Sequence, residues 1–237
     1  MCAKLGAIAM VAACLVACAP EGPTAIVVGS MIPDEECAVS SESVFLLKGS
    51  YDVSAGITGM CRRSYNMNLL VNSYLISRGS PQGSPSPARA EPNVLRITEA
   101  SVALLNVDDT PIAFTDLPNP FSVTTFAIVP PADQGEPGSG IALVEVVPGH
   151  YSTQMQALGT RRATLVAEVK LFGETTGAVS VELAEYRFPI QLCNGCMTAC
   201  GLSASEAEDL REGQCADNAG ADGRFCIEAP PCVAPTP

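Results

Sequence analysis

Along residues 44–192, apolar and polar positions alternate in short runs separated by turn residues, and this period of two predicts antiparallel strands. Residues 44–47 form one such run. Tyr65, Met67, Leu69 and Val71 then alternate with Asn66, Asn68, Leu70 and Asn72, which predicts a half-buried strand with one apolar and one mostly polar face. Strand-like text resumes at 94–97 and 101–107, and Asp108-Asp109-Thr110-Pro111 closes it with residues that suit a turn better than a metal site. Two further apolar runs, 121–129 and 140–147, flank a stretch too rich in proline and glycine for a helix. Upstream, residues 25–28 are a β-prone patch inside a Pro/Gly-rich tether that could lend a strand to the domain.

The clearest block comes next. Leu165, Ala167, Val169 and Leu171 share one face, Glu168 and Lys170 the other, and Gly173-Glu174-Thr175-Thr176-Gly177 turns the chain into Val179, Val181 and Leu183, a β-hairpin. Apolar parity then moves from odd to even at Tyr186, Phe188, Ile190 and Leu192. Keeping both sets inside requires a bulge or break near Ala184-Glu185. No convincing amphipathic helix appears in this stretch. The expected fold is therefore all-β: a two-layer antiparallel β-sandwich, with a jelly roll among the arrangements that fit and strand order not given by the sequence. Immunoglobulin topology has no special support, since the chain has no tryptophan to pack on an inter-sheet disulfide.

Residues 79–92 interrupt the strands with serines, glycines and prolines that carry little apolar surface, so they read as a surface loop rather than a proline-rich ligand. The formal charge is −12, and the acids are dispersed, with Asp34-Glu35-Glu36 the longest run. Such a surface repels phosphates, which argues against nucleic acid as a partner.

The N-terminal text has a different period altogether. Lys4 stands ahead of an apolar run, 5–17, that is shorter than the roughly 20 residues a bilayer span needs. It closes on Leu15-Val16-Ala17-Cys18. Small residues before a cysteine resemble the processing site of bacterial lipoproteins, and the resemblance covers this signal and Cys18 alone. It implies removal of residues 1–17, lipidation of Cys18 and residence in the cell envelope, with Ala19-Pro20 in place of an aspartate leaning towards the outer membrane. Val11-Ala12-Ala13-Cys14 fits less well because its apolar core is shorter. Cleavage removes Lys4 and no acid, so the charge becomes −13. The organisation expected is a signal peptide over 1–17, a tether over 18–36, a sandwich over 37–192 and a cysteine-rich segment over 193–237.

Beyond Cys18 stand eight cysteines: Cys37, Cys61, Cys193, Cys196, Cys200, Cys215, Cys226 and Cys232. An exported chain with an even number of thiols pairs them, in any of 105 connectivities. Proximity suggests Cys37 with Cys61, leaving six late cysteines to staple a C-terminal segment too poor in large apolar side chains to hold a core of its own. Two rival chemistries use the same sulfurs. Thiolates of the late cluster could hold zinc or an iron–sulfur cluster, and Cys193-Asn194-Gly195-Cys196 has dithiol spacing. Export oxidises thiols and the βαβ setting of a redox dithiol is missing, so a disulfide-rich cap is the expectation, with no cofactor.

Catalytic groupings are not visible. His150, the one histidine, follows Pro148-Gly149 and reads as an exposed turn residue, and no G-x-S-x-G, H-E-x-x-H, P-loop or dinucleotide fingerprint occurs. Residues 217–223 place alanines where a calcium loop wants oxygen ligands. Arg62-Arg63 and Arg161-Arg162 are the adjacent basic pairs, and could form an anion or lipid-headgroup site only if the fold joined them. The functional expectation is a membrane-anchored envelope lipoprotein, not an enzyme, that displays a β domain for structure, adhesion or ligand binding to an unknown envelope protein or ligand. Alternatives are an extracytoplasmic hydrolase using gathered carboxylates, which a cleft with two facing carboxyl groups would favour, and a metal carrier.

Overall fold

The computed structural model describes residues 24–33, 38–40, 43–53, 64–77, 93–159, 163–194, 198–199 and 226–227. In chain order the strands are β1 (Ala25–Met31), β2 (Phe45–Leu46), β3 (Gly49–Asp52), β4 (Tyr65–Ser73), β5 (Leu95–Asn106), β6 (Phe121–Val129), β7 (Gly138–Val147), β8 (Thr164–Thr175), β9 (Ser180–Glu182), β10 (Tyr186–Cys193), β11 (Thr198–Ala199) and β12 (Cys226–Ile227). A 3-10 turn, Gly149–Tyr151, leads into the helix α1, Ser152–Gly159. The fold is all-β in class, as the alternating pattern predicts.

One sheet has the order β2-β1-β4-β7. The other has the order β3-β10-β8-β5-β6, with β9 on the free part of β8, and β11 pairs with β12 separately. Neighbours run antiparallel except β3 with β10 and β11 with β12. Among the described residues, one buried apolar cluster takes Met67, Leu69, Val71 and Val144 from the first sheet and Ile97, Val102, Leu165, Val169 and Ile190 from the second. Fully withdrawing one such side chain from water is worth roughly 1.5–3 kcal/mol, against about 1 for a net hydrogen bond, so the alternating apolar set decides which face turns inward.

Two local details carry the sequence pattern into register. Runs 94–97 and 101–107, expected as separate strands, are the single strand β5, whose register shifts between Ile97 and Glu99 against both neighbours. The shift flips parity: Leu95 and Ile97 are buried before it, Ala100, Val102 and Leu104 after it, so an irregular polar interval concealed one continuous strand. The second detail was anticipated. β9 ends at Glu182 and β10 begins at Tyr186, and the break lets Val181 and Leu183 share the interior with Phe188, Ile190 and Leu192.

The hairpin from β8 to β9 turns later than expected, because Gly173 lies inside β8, where a Cβ would come within 2.1 Å of the Arg96 carbonyl oxygen. That glycine serves close strand approach beside the β5 shift, and the turn itself runs through Thr176-Gly177-Ala178, with Ala178 at φ 60°. The strand expected to be half-buried, β4, is covered on both faces: Asn68 and Leu70 are buried as well as Met67 and Leu69. α1 is the one helix longer than a single turn among the described residues. It is too short to show a period in sequence, and Met155 is its fully buried apolar side chain.

The molecule has two rims. Ala25, Ser73 and Gly138 face one another across the first sheet, and Val129, Leu95 and Thr175 across the second, with residues 130–137 joining the two sets. At the opposite rim stand Met31, Tyr65, Val147, Thr164 and Cys193. β6 and β7 pass from one sheet to the other at such close range that a Cβ on Gly138 would lie 1.9 Å from the Pro130 carbonyl oxygen.

Candidate functional site

Among the described residues, an open hollow lies over the shift in β5. Thr98, Phe172, Gly173, Glu174, Ser180, Val181 and Glu182 line a concavity of ≈ 420 Å³ that is open to solvent. It lies where β9 pairs with β8, beside the register shift of β5 between Ile97 and Glu99. Glu174 lies opposite Ser180 and Phe172 opposite Glu182, which sets the two carboxylates diagonally on one face. Glu182 accepts an ion pair from Lys170 at 2.5 Å, with Glu185 3.8 Å from the same ammonium. Those contacts hold the Lys170 pKa above its usual value, the Glu182 hydrogen bond contributing most. Further along, Arg187 pairs with Asp109 and, at 3.4 Å, with Glu168. The Asp109 hydrogen bond is the main cause of its raised pKa. This outer face is a mixed-charge lattice of exposed pairs, each of which is worth little in stability.

A second feature is apolar. Phe126 and Ile128 of β6 are 66% and 53% exposed, and Leu143 of β7 lies near them in exposure at 37%. Thr125 Oγ1 donates to the Leu143 carbonyl at 2.7 Å and ties the two strands together there.

A third is the ordered loop 107–120 at the second rim. Two carboxamides hold it. Asn119 Oδ1 accepts from the Leu104 N–H at 2.9 Å, while its Nδ2 donates to the carbonyls of Leu104 and Ile112 at 2.7 and 2.8 Å. Gln154 on α1 does the same for Thr115, accepting from its N–H and donating to its carbonyl, both at 2.6 Å. Tyr151 completes the anchorage: its hydroxyl donates to the Pro118 carbonyl at 2.6 Å and its ring packs on Phe114 and Phe121. Burial raises the Tyr151 pKa. Asp108 caps the turn before the loop by accepting from the Thr110 hydroxyl and N–H, which lowers its pKa. The Asp-Asp-Thr-Pro stretch is thus a turn, as expected.

Sequence reasoning missed Asn119, Gln154 and the Tyr51–Ser152 hydrogen bond of 2.5 Å, which is buried at the same rim. Asn119 stands among Pro118 and Pro120, a plain turn signal, and nothing local reveals that its amide will stand in for a strand. His150 is exposed, its ring 4.7 Å from Tyr151. Cys193 ends β10 buried and disulfide-bonded, its Sγ 3.8 Å from the Tyr51 carbonyl oxygen. Cys226 lies in β12. Cys18, Cys37, Cys61, Cys196, Cys200, Cys215 and Cys232 fall outside the described residues, as do both arginine pairs, the 79–92 loop and 217–223. The described residues bring together no group of His, Cys, Asp or Glu side chains able to hold a metal ion, and include no helix long and apolar enough to cross a membrane. No protein-family model matches this chain, and no curated protein sequence does either.

Proposed function

We propose that this chain is a lipid-anchored envelope protein whose β domain, a two-layer sandwich, serves as a non-enzymatic binding or structural module next to the membrane. The observation that carries the reading is the position of Thr24. Its carbonyl accepts from the Tyr74 N–H at 2.9 Å and β1 begins at Ala25, so a residue bonded into the β domain lies only six positions after Cys18. A cysteine with the small-residue context of Leu15-Val16-Ala17 is therefore within a few positions in sequence of a strand paired into the first sheet, the short spacing that suits an anchor. The sandwich is supported by one apolar cluster drawn from both sheets, and its jelly-roll-like character by a chain that passes repeatedly between them. Cys193 carries a disulfide at the rim opposite Thr24, where a stapled C-terminal cap would sit on the side away from the membrane. Ala19-Pro20 after the cysteine favours the outer membrane.

A second reading, an extracytoplasmic hydrolase, has one observation in its favour: Glu174 and Glu182 share the concavity on diagonal positions, residues that lie roughly 7–8 Å apart in such sheets. Both are exposed and one is engaged by Lys170, whereas a general acid needs a site that holds its proton. The binding role is accordingly preferred.

Labelling the native host with a radioactive fatty acid tests the leading reading. The expected outcome is a labelled mature chain whose intact mass begins at acylated Cys18, and loss of label and of membrane retention in Cys18→Ser. A mature N-terminus elsewhere, without acyl chains, refutes it.

A further inference from the structure

The rim that holds Thr24 also carries exposed apolar side chains among its described residues. Tyr74, whose N–H is bonded to Thr24, is 46% exposed, and Ile76 two residues on is 74% exposed. Neither sits on loose chain. Ala132 N–H donates to the Leu75 carbonyl at 2.7 Å, Ser77 N–H to the Ala132 carbonyl at 3.2 Å, and Asn93 Nδ2 to the Ile76 carbonyl at 2.6 Å. Val179, 61% exposed, belongs to the same rim, because its turn is held by Thr175 and by the Thr176 N–H to Val94 carbonyl bond of 2.9 Å. We infer that this rim rests in the headgroup layer of the bilayer, with Tyr74 and Ile76 reaching the acyl boundary and uncharged headgroups as the surface contacted. The inference deepens the lipid-anchor reading and rests on it.

Exposure alone does not select this rim, since Val44 and Val107 near the other are each 70% exposed. Reach selects it. Six residue steps separate Cys18 from Thr24, and at about 3.6 Å each the link spans no more than about 22 Å when fully extended. β5 and β8 are twelve residues long, so the rims lie roughly 40 Å apart at 3.3 Å per residue. An anchor on so short a link cannot let the body turn over, and it keeps Tyr74 next to lipid at high effective concentration, where even a small apolar contact is populated. A tyrosine, apolar in body and polar at its tip, matches the interface between headgroups and acyl chains. Exposed Asp133 and Glu136 on the same rim, in a chain of net −12, oppose anionic lipid and leave neutral headgroups as the favoured surface.

The chain contains no tryptophan, so a single one reports its own surroundings. Ile76→Trp and Tyr74→Trp, each in the full lipidated protein and reconstituted into phosphatidylcholine vesicles with brominated acyl chains, should shift their emission to the blue and lose most of it relative to unbrominated vesicles. Val107→Trp in the same vesicles should keep its emission. Equal behaviour at residues 76 and 107 overturns the inference, as does the absence of quenching at both 74 and 76, with circular dichroism verifying that each variant is folded. Intact mass of the same samples separates the two claims. A chain without acyl groups on Cys18 overturns the anchor and this inference together, while an acylated chain with unquenched Ile76→Trp and Tyr74→Trp overturns this inference alone.

Discussion

Asn119 does with one amide what a short strand does with its backbone. Its three hydrogen bonds satisfy both backbone groups of Leu104 and the carbonyl of Ile112 at the start of the ordered loop. Truncating it strands the Leu104 N–H and the Ile112 carbonyl, while the Leu104 carbonyl keeps the Ile112 N–H at 2.9 Å, and Asn119→Ala should cost about 2–3 kcal/mol in urea unfolding, the range expected when backbone groups withdrawn from water lose their partners. Tyr51 makes a different kind of prediction. Burial, the largest influence, raises its pKa, with the Ser152 hydrogen bond opposing and Asp52 and Glu145 adding to the rise. Tyr186, whose hydroxyl accepts from the Ser30 N–H, is raised by burial as well. The unfolded tyrosines release their protons near pH 10 while the folded ones retain them, so the contribution of these two tyrosines is constant below about pH 10 and is lost above it. Thermal melts from pH 8 to 11 should show that decline, and it should be shallower in Tyr51→Phe; a stability that rises over this window would contradict the burial argument.

At the scale of elements, the shift in β5 is the organising irregularity. It reverses which residues face inward halfway along the strand, it brings Arg96 against Gly173, and it leaves the concavity over Thr98. A methyl on Gly173 has nowhere to go, since the obstacle is backbone and not the end of a flexible side chain. Gly173→Ala should therefore lower stability by about 2–3 kcal/mol, a typical overpacking penalty, with a lower denaturant midpoint as the readout. The break between β9 and β10 is the companion device on the other side of β8. That break was legible beforehand, because parity in the apolar residues changes across Ala184-Glu185. The β5 shift was not, because its polar interval, Thr98-Glu99, looks the same as an ordinary gap between two strands.

At the scale of the whole molecule, the core is built from aliphatic and aromatic side chains of both sheets, and Cys193 lies outside that cluster. Reduction should accordingly lower the melting temperature, by the equivalent of about 2–4 kcal/mol for a typical bridge, while leaving the β signal in far-ultraviolet circular dichroism intact at room temperature. Collapse of that signal on reduction would mean that sulfur, not apolar burial, holds the sheets. The sequence by itself determined the all-β class, most strand positions, the parity break and the small-residue site before Cys18, since each is written in local period or composition and needs no distant partner. Only the tertiary structure decided the strand order, the merging of two runs into β5, the covering of both faces of β4, and the gathering of Thr24, Tyr74, Ile76 and Val179 on one rim. Those depend on which strands meet across long stretches of chain, and a two-residue period says which side of a strand is apolar without saying what will lie against it.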